Sequence, residues 1–235
     1  MSVKFSRIAA GAWRMADWGM TPQARLAWIE ACLDLGVTTF DHADIYGAYT
    51  AEALFGEALA LKPALRDRMQ IVSKCGIKLV SPNRPQHRIK SYDTSPEHVI
   101  ASVDASLKAL KTNYLDVLLI HRPDALLDAQ ELAHCFEYLR AAGKVRHFGV
   151  SNFTPSQFEL LNKRISLVTN QIECSPIYLE PLTDGTLDQA QSLGLPPMIW
   201  SPLAGGQLFH GTDDASVRVR AVLERLAHEW HSSVT

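Results

Sequence analysis

Leu115-Asp116-Val117-Leu118-Leu119-Ile120-His121 is an apolar run that ends in an ionisable residue. Two earlier runs end in the same way: Thr38-Thr39-Phe40-Asp41, which continues to Tyr46, and Ile71-Val72-Ser73, which meets Lys74. Such runs predict buried strands of a parallel sheet. Because the carboxyl ends of the strands converge on one face of an α/β barrel, we expect these ionisable side chains to share one pocket. The pattern predicts proton transfer by an acid with an unusually low pKa.

Strand and helix patterns alternate along the rest of the chain. The predicted strands are residues 7–13, 37–41, 69–74, 115–121, 145–151, 168–172 and 198–200. The predicted helices are residues 22–35, 51–61, 96–110, 129–142, 155–162, 186–193 and 216–230. Strict alternation predicts right-handed crossovers and a parallel sheet, and this many units favours a TIM (β/α)8 barrel over an open doubly wound sheet.

The strand count is one short of a closed barrel. The helical pattern at residues 216–230 is the seventh such helix, and the sequence ends at Thr235. We therefore expect residues 1–235 to form a single α/β barrel domain that lacks the eighth strand and the C-terminal segment. A truncated product, a fragment, a chain closed by a partner and a barrel of another type all remain open. The polar segment 76–94 leaves the third strand and is a candidate flap over the active-site face.

Composition limits the functions that the chain can have. The 235 residues are 47% hydrophobic and carry 23 basic and 25 acidic side chains, with a formal net charge of -2. This balance favours one sizeable core and gives no electrostatic reason to expect nucleic acid or a membrane as partner. The N-terminus lacks the apolar stretch of a signal peptide, and the four cysteines are widely separated. We expect a cytoplasmic protein with free thiols. The oligomeric state is not indicated.

Several motifs together resemble the aldo-keto reductase superfamily. Residues 36–47, Gly-Val-Thr-Thr-Phe-Asp-His-Ala-Asp-Ile-Tyr-Gly, look like its signature, and residues 71–74 and 115–121 resemble its lysine and histidine strands. Residues 143–152 and Asn170-Gln171 are similar to its nicotinamide-binding segments. The resemblance runs from Arg7 to the end, and details at 40–44 and 73–76 look most like the YdhF-like bacterial oxidoreductase subgroup. It implies reduction of carbonyl compounds by NADPH without a metal.

Physical chemistry gives the same roles to the four strand-end residues. A carbonyl that accepts hydride develops negative charge on oxygen, so it needs a proton donor and a positive group nearby. We expect Tyr46 to donate the proton and Lys74 to favour its phenolate. Asp41 would keep Lys74 charged and aimed, and His121 would hydrogen-bond the substrate oxygen.

Each of these residues also has a structural interpretation. Asp41 alone is more typical of a loop cap, Tyr46 of a rim aromatic, Lys74 of a solvated strand end and His121 of a packed loop residue. Their combination at three consecutive strand ends favours catalysis. A metal-dependent hydrolase that uses His42, Asp44 and Asp116 is less consistent with the sequence. The first and second predicted strands contain no His-x-His pair, and Lys74 would occupy the place of the metal. His42 and Asp44 are expected to shape the loop that carries Tyr46.

The cofactor residues follow from the later strands. Ser151 and Asn152 end the fifth strand and Gln171 ends the sixth, so a hydroxyl and two amides are available to the nicotinamide carboxamide. Trp200 resembles the family's aromatic shelf for the nicotinamide ring, and Ser201, Pro202 and Leu203 begin a segment that resembles its pyrophosphate loop. Helix capping by Ser151 and Asn152 and barrel packing of Trp200 are compatible alternatives. No G-x-G-x-x-G pattern follows a predicted strand in this sequence, so a Rossmann domain is not indicated.

Two functions remain open at this point. The first is an NADPH-dependent reductase of an aldehyde or ketone, with Tyr46 as proton donor and no metal. The second is a catalytically weak, nucleotide-binding or regulatory relative. The preference for NADPH over NADH rests on the resemblance alone, since the family's clamp for the 2'-phosphate lies beyond an eighth strand. Trp13, Trp18 and the 76–94 segment are candidate walls of an apolar substrate entrance, which surface packing explains equally well.

Overall fold

The apolar runs pair with one another as parallel strands. The computed structural model describes residues 3–234 and divides them into two compact units, residues 3–168 and residues 169–234. Strands in the described chain are β1 (Ala9–Gly11), β2 (Thr39–Asp41), β3 (Gln70–Cys75), β4 (Ile77–Lys78), β5 (Ser91–Tyr92), β6 (Leu115–Ile120), β7 (Val145–Ser151), β8 (Asn170–Glu173) and β9 (Met198–Trp200).

Helices alternate with these strands. They are α1 (Pro22–Asp34), α2 (Ala51–Leu61), α3 (Pro96–Leu110), α4 (Ala129–Ala141), α5 (Pro155–Asn162), α6 (Thr186–Ser192), α7 (Gln207–His210) and α8 (Asp214–Glu229). Proline occupies the first turn of α1, α3 and α5, where its missing N–H leaves no hydrogen bond unmade. The preceding Thr21, Ser95 and Thr154 accept backbone N–H groups with their side chains, which fixes where the three helices begin.

The first unit contains five parallel strands in the order β1-β2-β3-β6-β7. All six residues of β6 are buried, as expected for a strand covered on both faces. Helix α2 packs closely on α3 because position 56 is glycine: a Cβ there would lie 2.0 Å from the Ala109 carbonyl oxygen. Since α2 begins just after Tyr46, this contact helps to fix the loop between β2 and α2.

An ion pair lies at the start of β6. Asp116 accepts hydrogen bonds from Arg66 at 2.7 Å, from Arg146 at 3.1 Å and from the Ile71 backbone N–H at 2.9 Å. Both guanidinium groups also lie over the Tyr114 ring. With its carboxylate engaged in this way, Asp116 is a structural residue, which removes one ligand from the metal-site alternative.

The second unit contains the parallel pair β8 and β9, with Gln171 opposite Met198. The Thr169 hydroxyl donates to the Pro196 carbonyl oxygen at 2.7 Å and joins the segments that lead into the two strands. Helix α8 begins at an Asp213 side chain that accepts the Ser216 N–H. Across residues 3–234, none of the helices has the length and apolar character needed to span a membrane.

The predicted elements agree closely with this structure. The seven predicted strands correspond to β1, β2, β3, β6, β7, β8 and β9, and the bounds of β7, β9, α2, α3 and α5 match the prediction residue for residue. The hairpin of β4 and β5 inside the 76–94 segment was not expected. The single-domain organisation and its missing eighth strand stay predictions.

The four cysteines are free thiols, as expected. Cys75 and Cys135 are buried, whereas Cys32 on α1 and Cys174 after β8 are half-buried. Burial raises the pKa of Cys75 well above its ordinary value and, with Glu97 nearby, raises the pKa of Cys135 to about 11. The two buried thiols are therefore protonated at neutral pH.

Candidate active site

Lys74 is the centre of the polar cluster at the strand ends. It is the penultimate residue of β3 and is only 1% exposed. Its ammonium contacts both carboxylate oxygens of Asp41, at 2.9 and 2.8 Å, the His42 carbonyl oxygen at 2.8 Å and the Tyr46 hydroxyl at 3.0 Å. Three N–H groups thus serve four acceptors. Asp41 ends β2, the neighbouring strand, so the parallel register brings acid and amine together.

The charge of Lys74 is maintained by its partners. Burial acts to lower the pKa of the amine, but the Asp41 carboxylate and Tyr46 more than offset it, and the pKa lies above the ordinary value. The side chain is therefore a buried ammonium at neutral pH. The role of Asp41 in keeping Lys74 charged and aimed for catalysis stays a prediction.

Tyr46 departs from the expectation of an unusually low pKa. Burial raises the pKa of its phenol, the nearby Lys74 lowers it, and the net pKa lies above the ordinary value. The expectation was wrong because it considered the charge of Lys74 without the loss of solvent around the ring. Tyr46 is a neutral phenol at pH 7, and its proton is present for donation.

His121 lies beside Tyr46 on the next strand end. It follows β6 directly, and its backbone N–H donates to the Cys75 carbonyl oxygen at 2.8 Å. The two rings are edge to face, with centroids 5.9 Å apart. Burial, followed by the charges of Lys74 and Arg122, lowers the pKa of His121 well below its ordinary value. His121 is therefore a neutral imidazole that can donate one hydrogen bond.

The loop after Tyr46 has a left-handed backbone. Gly47, Ala48 and Tyr49 have φ values of 56°, 54° and 72°. A Cβ on Gly47 would lie 2.8 Å from the Ala16 Cβ, so only glycine fits there. Left-handed backbone costs about 1 to 2 kcal/mol for each L-residue other than glycine, so Ala48 and Tyr49 need support from their surroundings.

Three titratable side chains lie next to Lys74: His42 and Glu52 are buried and Asp44 is half-buried. His42 is 0% exposed, and neither ring nitrogen has a hydrogen-bond partner within residues 3–234. Glu52 of α2 accepts the Ser73 hydroxyl at 2.5 Å. Burial raises the pKa of Glu52, and burial together with Glu52 raises the pKa of Asp44 well above its ordinary value. Sequence reasoning missed Glu52. A signal was its place in the first turn of a helix that is apolar except for Glu52 and Glu57.

The buried imidazole of His42 predicts a pH effect on stability. Burial, and then Lys74, lowers the pKa of His42 from 6.5 to about 3. Between pH 6.5 and about 3, the folded protein therefore binds fewer protons than the unfolded protein. The contribution of neutral His42 to the unfolding free energy is complete above pH 6.5 and is lost as the pH falls toward 3. His42→Leu should reduce the slope of unfolding free energy against pH by about 1.4 kcal/mol per unit. Urea unfolding of both proteins at a series of pH values from neutral to acidic measures this slope.

His134 provides the control for this measurement, because it is exposed on α4. His134→Gln should leave the slope unchanged. A His42→Leu slope equal to that of the unmodified protein would show that the buried ring is protonated in the folded state, contrary to the expectation.

Two of the predicted cofactor residues lie beside His121. Ser151 ends β7 and is buried, and Asn152 follows it with φ 59°. The Asn152 amide nitrogen is 2.7 Å from the Ser151 hydroxyl oxygen and 3.5 Å from the His121 carbonyl oxygen. A hydroxyl and an amide beside the His121 backbone fit the donors and acceptors of a carboxamide.

The other predicted cofactor residues belong to the second unit. Gln171 is buried in β8, and Trp200 ends β9. Ser201 has a φ of 50°, Pro202 and Leu203 are exposed, and Ala204, Gly205 and Gly206 also have positive φ values. The Ala204 N–H donates to the Ser201 carbonyl oxygen at 2.8 Å and the Gly206 N–H to the Leu203 carbonyl oxygen at 3.0 Å, so the segment forms two successive tight turns. The small residues Ala204, Gly205 and Gly206 are evident in the sequence, whereas their left-handed conformation is evident only in the structure.

A metal site is not evident in the described part of the chain. Residues 3–234 contain no group of three or more His, Cys, Asp and Glu side chains placed to hold a metal ion. Lys74 donates to Asp41 within the cluster, so the carboxylate already has a cationic partner. That the protein works without a metal stays a prediction.

Known proteins resemble this chain along nearly its whole length. The model of the aldo/keto reductase family matches residues 7–232. The chain is 54% identical to Oxidoreductase YdhF of Escherichia coli and 52% identical to Uncharacterized oxidoreductase YcsN of Bacillus subtilis, covering 97% of this chain and 76% of each relative. A 6-dehydroglucose reductase of Agrobacterium fabrum is 46% identical with the same coverage. The resemblance to the YdhF-like subgroup is confirmed.

Solved structures have the same fold. Glycerol dehydrogenase AKR11B4 of Gluconobacter oxydans superposes with a TM-score of 0.86 at 25% identity, covering 100% of this chain and 78% of that one. An aldo/keto reductase of Klebsiella pneumoniae, in complex with NADP and acetate, has a TM-score of 0.78 at 27% identity, covering 98% and 74%. The predicted fold class, the α/β architecture of the aldo-keto reductase TIM barrels, is confirmed.

Proposed function

We propose, from the premise that this chain belongs to the aldo/keto reductase family, that it is an oxidoreductase that reduces an aldehyde or ketone to an alcohol with NADPH. The observation that carries the proposal is the contact of 3.0 Å between the Lys74 ammonium and the Tyr46 hydroxyl. A neutral phenol beside a buried cation is an acid whose conjugate base is stabilised where it forms.

The residues proposed to transfer the proton all belong to the first unit. In the proposed reaction, the Tyr46 hydroxyl donates its proton to the carbonyl oxygen as negative charge develops there. Lys74 stabilises the resulting phenolate, and Asp41 holds Lys74 in place through two hydrogen bonds. Neutral His121 donates a hydrogen bond to the same oxygen, which polarises the carbonyl and orients it toward Tyr46.

The cofactor residues are proposed on their chemistry. Bound NADPH would supply the hydride to the carbonyl carbon. Ser151, Asn152 and Gln171 offer hydroxyl and amide groups for the nicotinamide carboxamide, and Trp200 offers a flat face for the ring. The segment that begins at Ser201-Pro202-Leu203 is proposed to bind the pyrophosphate, because the small residues that follow allow a phosphate close to the backbone. The Klebsiella relative that binds NADP supports a nicotinamide cofactor for this chain too.

The substrate is proposed to be a small carbonyl compound, and sugar-derived aldehydes are the class to test first. Two relatives, 46% and 41% identical, are named 6-dehydroglucose reductase. A cytoplasmic location, the absence of nucleic-acid and membrane partners and the oligomeric state stay open to experiment.

The test is binding followed by turnover. NADPH should quench the fluorescence of the tryptophans, and the absorbance of NADPH should then fall when sugar aldehydes or simple aldehydes are added. Quenching without oxidation of NADPH across the panel would favour the alternative of a nucleotide-binding or regulatory relative. A protein that shows neither quenching nor turnover would contradict both functions. Comparison of NADPH with NADH at equal concentration tests the cofactor preference.

A further inference from the structure

We infer that Tyr49 and Asn83 are positioning residues that clamp the left-handed turn behind Tyr46 and so place its hydroxyl against Lys74. The proposal rests on the proposed reductase function, in which Tyr46 is the acid. The turn consists of Gly47, Ala48 and Tyr49. The clamp loop is the part of the 76–94 segment from Leu79 to His87. Asn83 acts from the clamp loop, and Tyr49 acts from the turn through its side chain, which the clamp loop holds.

The first contact of the clamp loop is with the Ala48 carbonyl oxygen. The Asn83 side-chain amide donates to this oxygen at 2.9 Å, and the Ser81 hydroxyl lies 3.4 Å from it. The Asn83 backbone N–H donates to the Ser81 hydroxyl at 3.2 Å, which ties the two donors together. Ala48 is exposed, so apolar packing does not hold it in its left-handed conformation. Hydrogen bonds to its carbonyl oxygen are what oppose its relaxation.

The second contact is with the Tyr49 side chain. Its hydroxyl accepts the Leu79 backbone N–H at 2.8 Å and lies 3.3 Å from both the Leu79 carbonyl oxygen and the His87 Nδ1. The Arg84 guanidinium stands over the ring, 4.6 Å from its centroid. A tyrosine held at its hydroxyl and its face cannot rotate its backbone freely.

The turn is linked directly to the proposed acid. The Tyr46 carbonyl oxygen accepts the backbone N–H groups of Thr50 and Ala51, both at 3.1 Å, and the Thr50 hydroxyl donates to the Gly47 carbonyl oxygen at 2.6 Å. A change in the turn therefore moves the backbone of Tyr46. A displacement of about 1 Å at a reacting group can cost about 100-fold in rate, so small relaxations of the turn matter.

The experiment removes the clamp and then removes the need for it. Asn83→Ala and Tyr49→Phe should each lower kcat by about 10-fold, with the affinity for NADPH unchanged. Glycine adopts left-handed φ about as readily as right-handed φ, so the turn should keep its shape without the clamp when Ala48 is replaced by Gly. In that background, Asn83→Ala should lower kcat by less than about 3-fold. Tyr138→Phe, at an exposed position of α4, is the control and should leave kcat unchanged.

A readout independent of turnover accompanies the kinetics. In protein labelled with 3-fluorotyrosine, the resonance of Tyr46 is identified by its absence in Tyr46→Phe. It should shift in Asn83→Ala and return in the double variant with Ala48→Gly. Circular dichroism confirms that each variant is folded.

The outcomes separate the clamp from the reductase. An unchanged kcat and an unchanged Tyr46 resonance in both clamp variants would overturn the proposal, as would a lower kcat with an unmoved resonance. Equal losses of kcat on Asn83→Ala with and without the Ala48→Gly replacement would also overturn it. A shifted resonance in a protein whose unmodified form has no turnover would support the clamp and contradict the proposed function.

Discussion

Replacement of Tyr46 by Phe is expected to lower kcat by about 10²- to 10⁴-fold, which is the usual contribution of one positioned general acid. The variant removes only the hydroxyl. Lys74 keeps its two contacts to Asp41 and its contact to the His42 carbonyl oxygen, so the cluster has no unpaired charge. Unfolding free energy and NADPH affinity should therefore change little. Initial rates of NADPH oxidation and tryptophan quenching measure the two effects separately.

Tyr138→Phe is the matched control for this variant, because Tyr138 is 54% exposed on α4 and lies outside the 76–94 segment. It should turn over like the unmodified protein. If Tyr46→Phe kept a kcat within about two-fold of the unmodified protein, well short of the loss expected for a general acid, another group would have to supply the proton.

Replacement of Lys74 by Met is expected to lower kcat by about 10²- to 10³-fold, as the loss of one preorganised charge-stabilising donor does. It should also lower the unfolding free energy by about 3 to 5 kcal/mol, because the partner carboxylate of Asp41 is left without its buried cation. The Asp41 side chain is 14% exposed, so solvent offers it little compensation. Steady-state kinetics and urea unfolding give the two quantities.

A double variant separates the structural from the catalytic effect. Asp41→Asn combined with Lys74→Met leaves no buried charge at this pair, so most of the lost stability should return while kcat stays low. Lys144→Met is the surface control: its pair with Asp104 is partly exposed and should contribute less than about 1 kcal/mol. Recovery of kcat in the double variant would contradict a role for the ammonium in the reaction.

Local sequence signals were sufficient for most elements of the fold. Helix α3 begins where Ser95 and Pro96 predict it, because the cap and the proline act within one turn. Strand β6 is recognisable because its buried residues are almost all apolar, with Asp116 alone interrupting the run. Neither case depends on distant parts of the chain.

The sequence was sufficient to predict which residues lie together in the candidate site, but not the pKa values of their side chains. Asp41, Tyr46, Lys74 and His121 come together because parallel strands bring their carboxyl ends to one edge. The pKa of Tyr46 depends on how much solvent the fold removes, which the sequence does not state. The left-handed conformation of the turn depends on contacts that Ala48 and Tyr49 make 35 and 30 residues further along the chain.

The unequal burial of the thiols has a practical consequence for spectroscopy. Alkylating reagents attack thiolates, so the buried Cys75 and Cys135 should stay unmodified in the native protein. Burial also raises the pKa of half-buried Cys32, which slows its labelling. Cys174 is half-buried, lies directly after β8 and is close in sequence to Gln171, so a fluorophore can be attached there once the other half-buried thiol is removed by Cys32→Ser. One dye at that position would report events near Gln171 without an engineered cysteine.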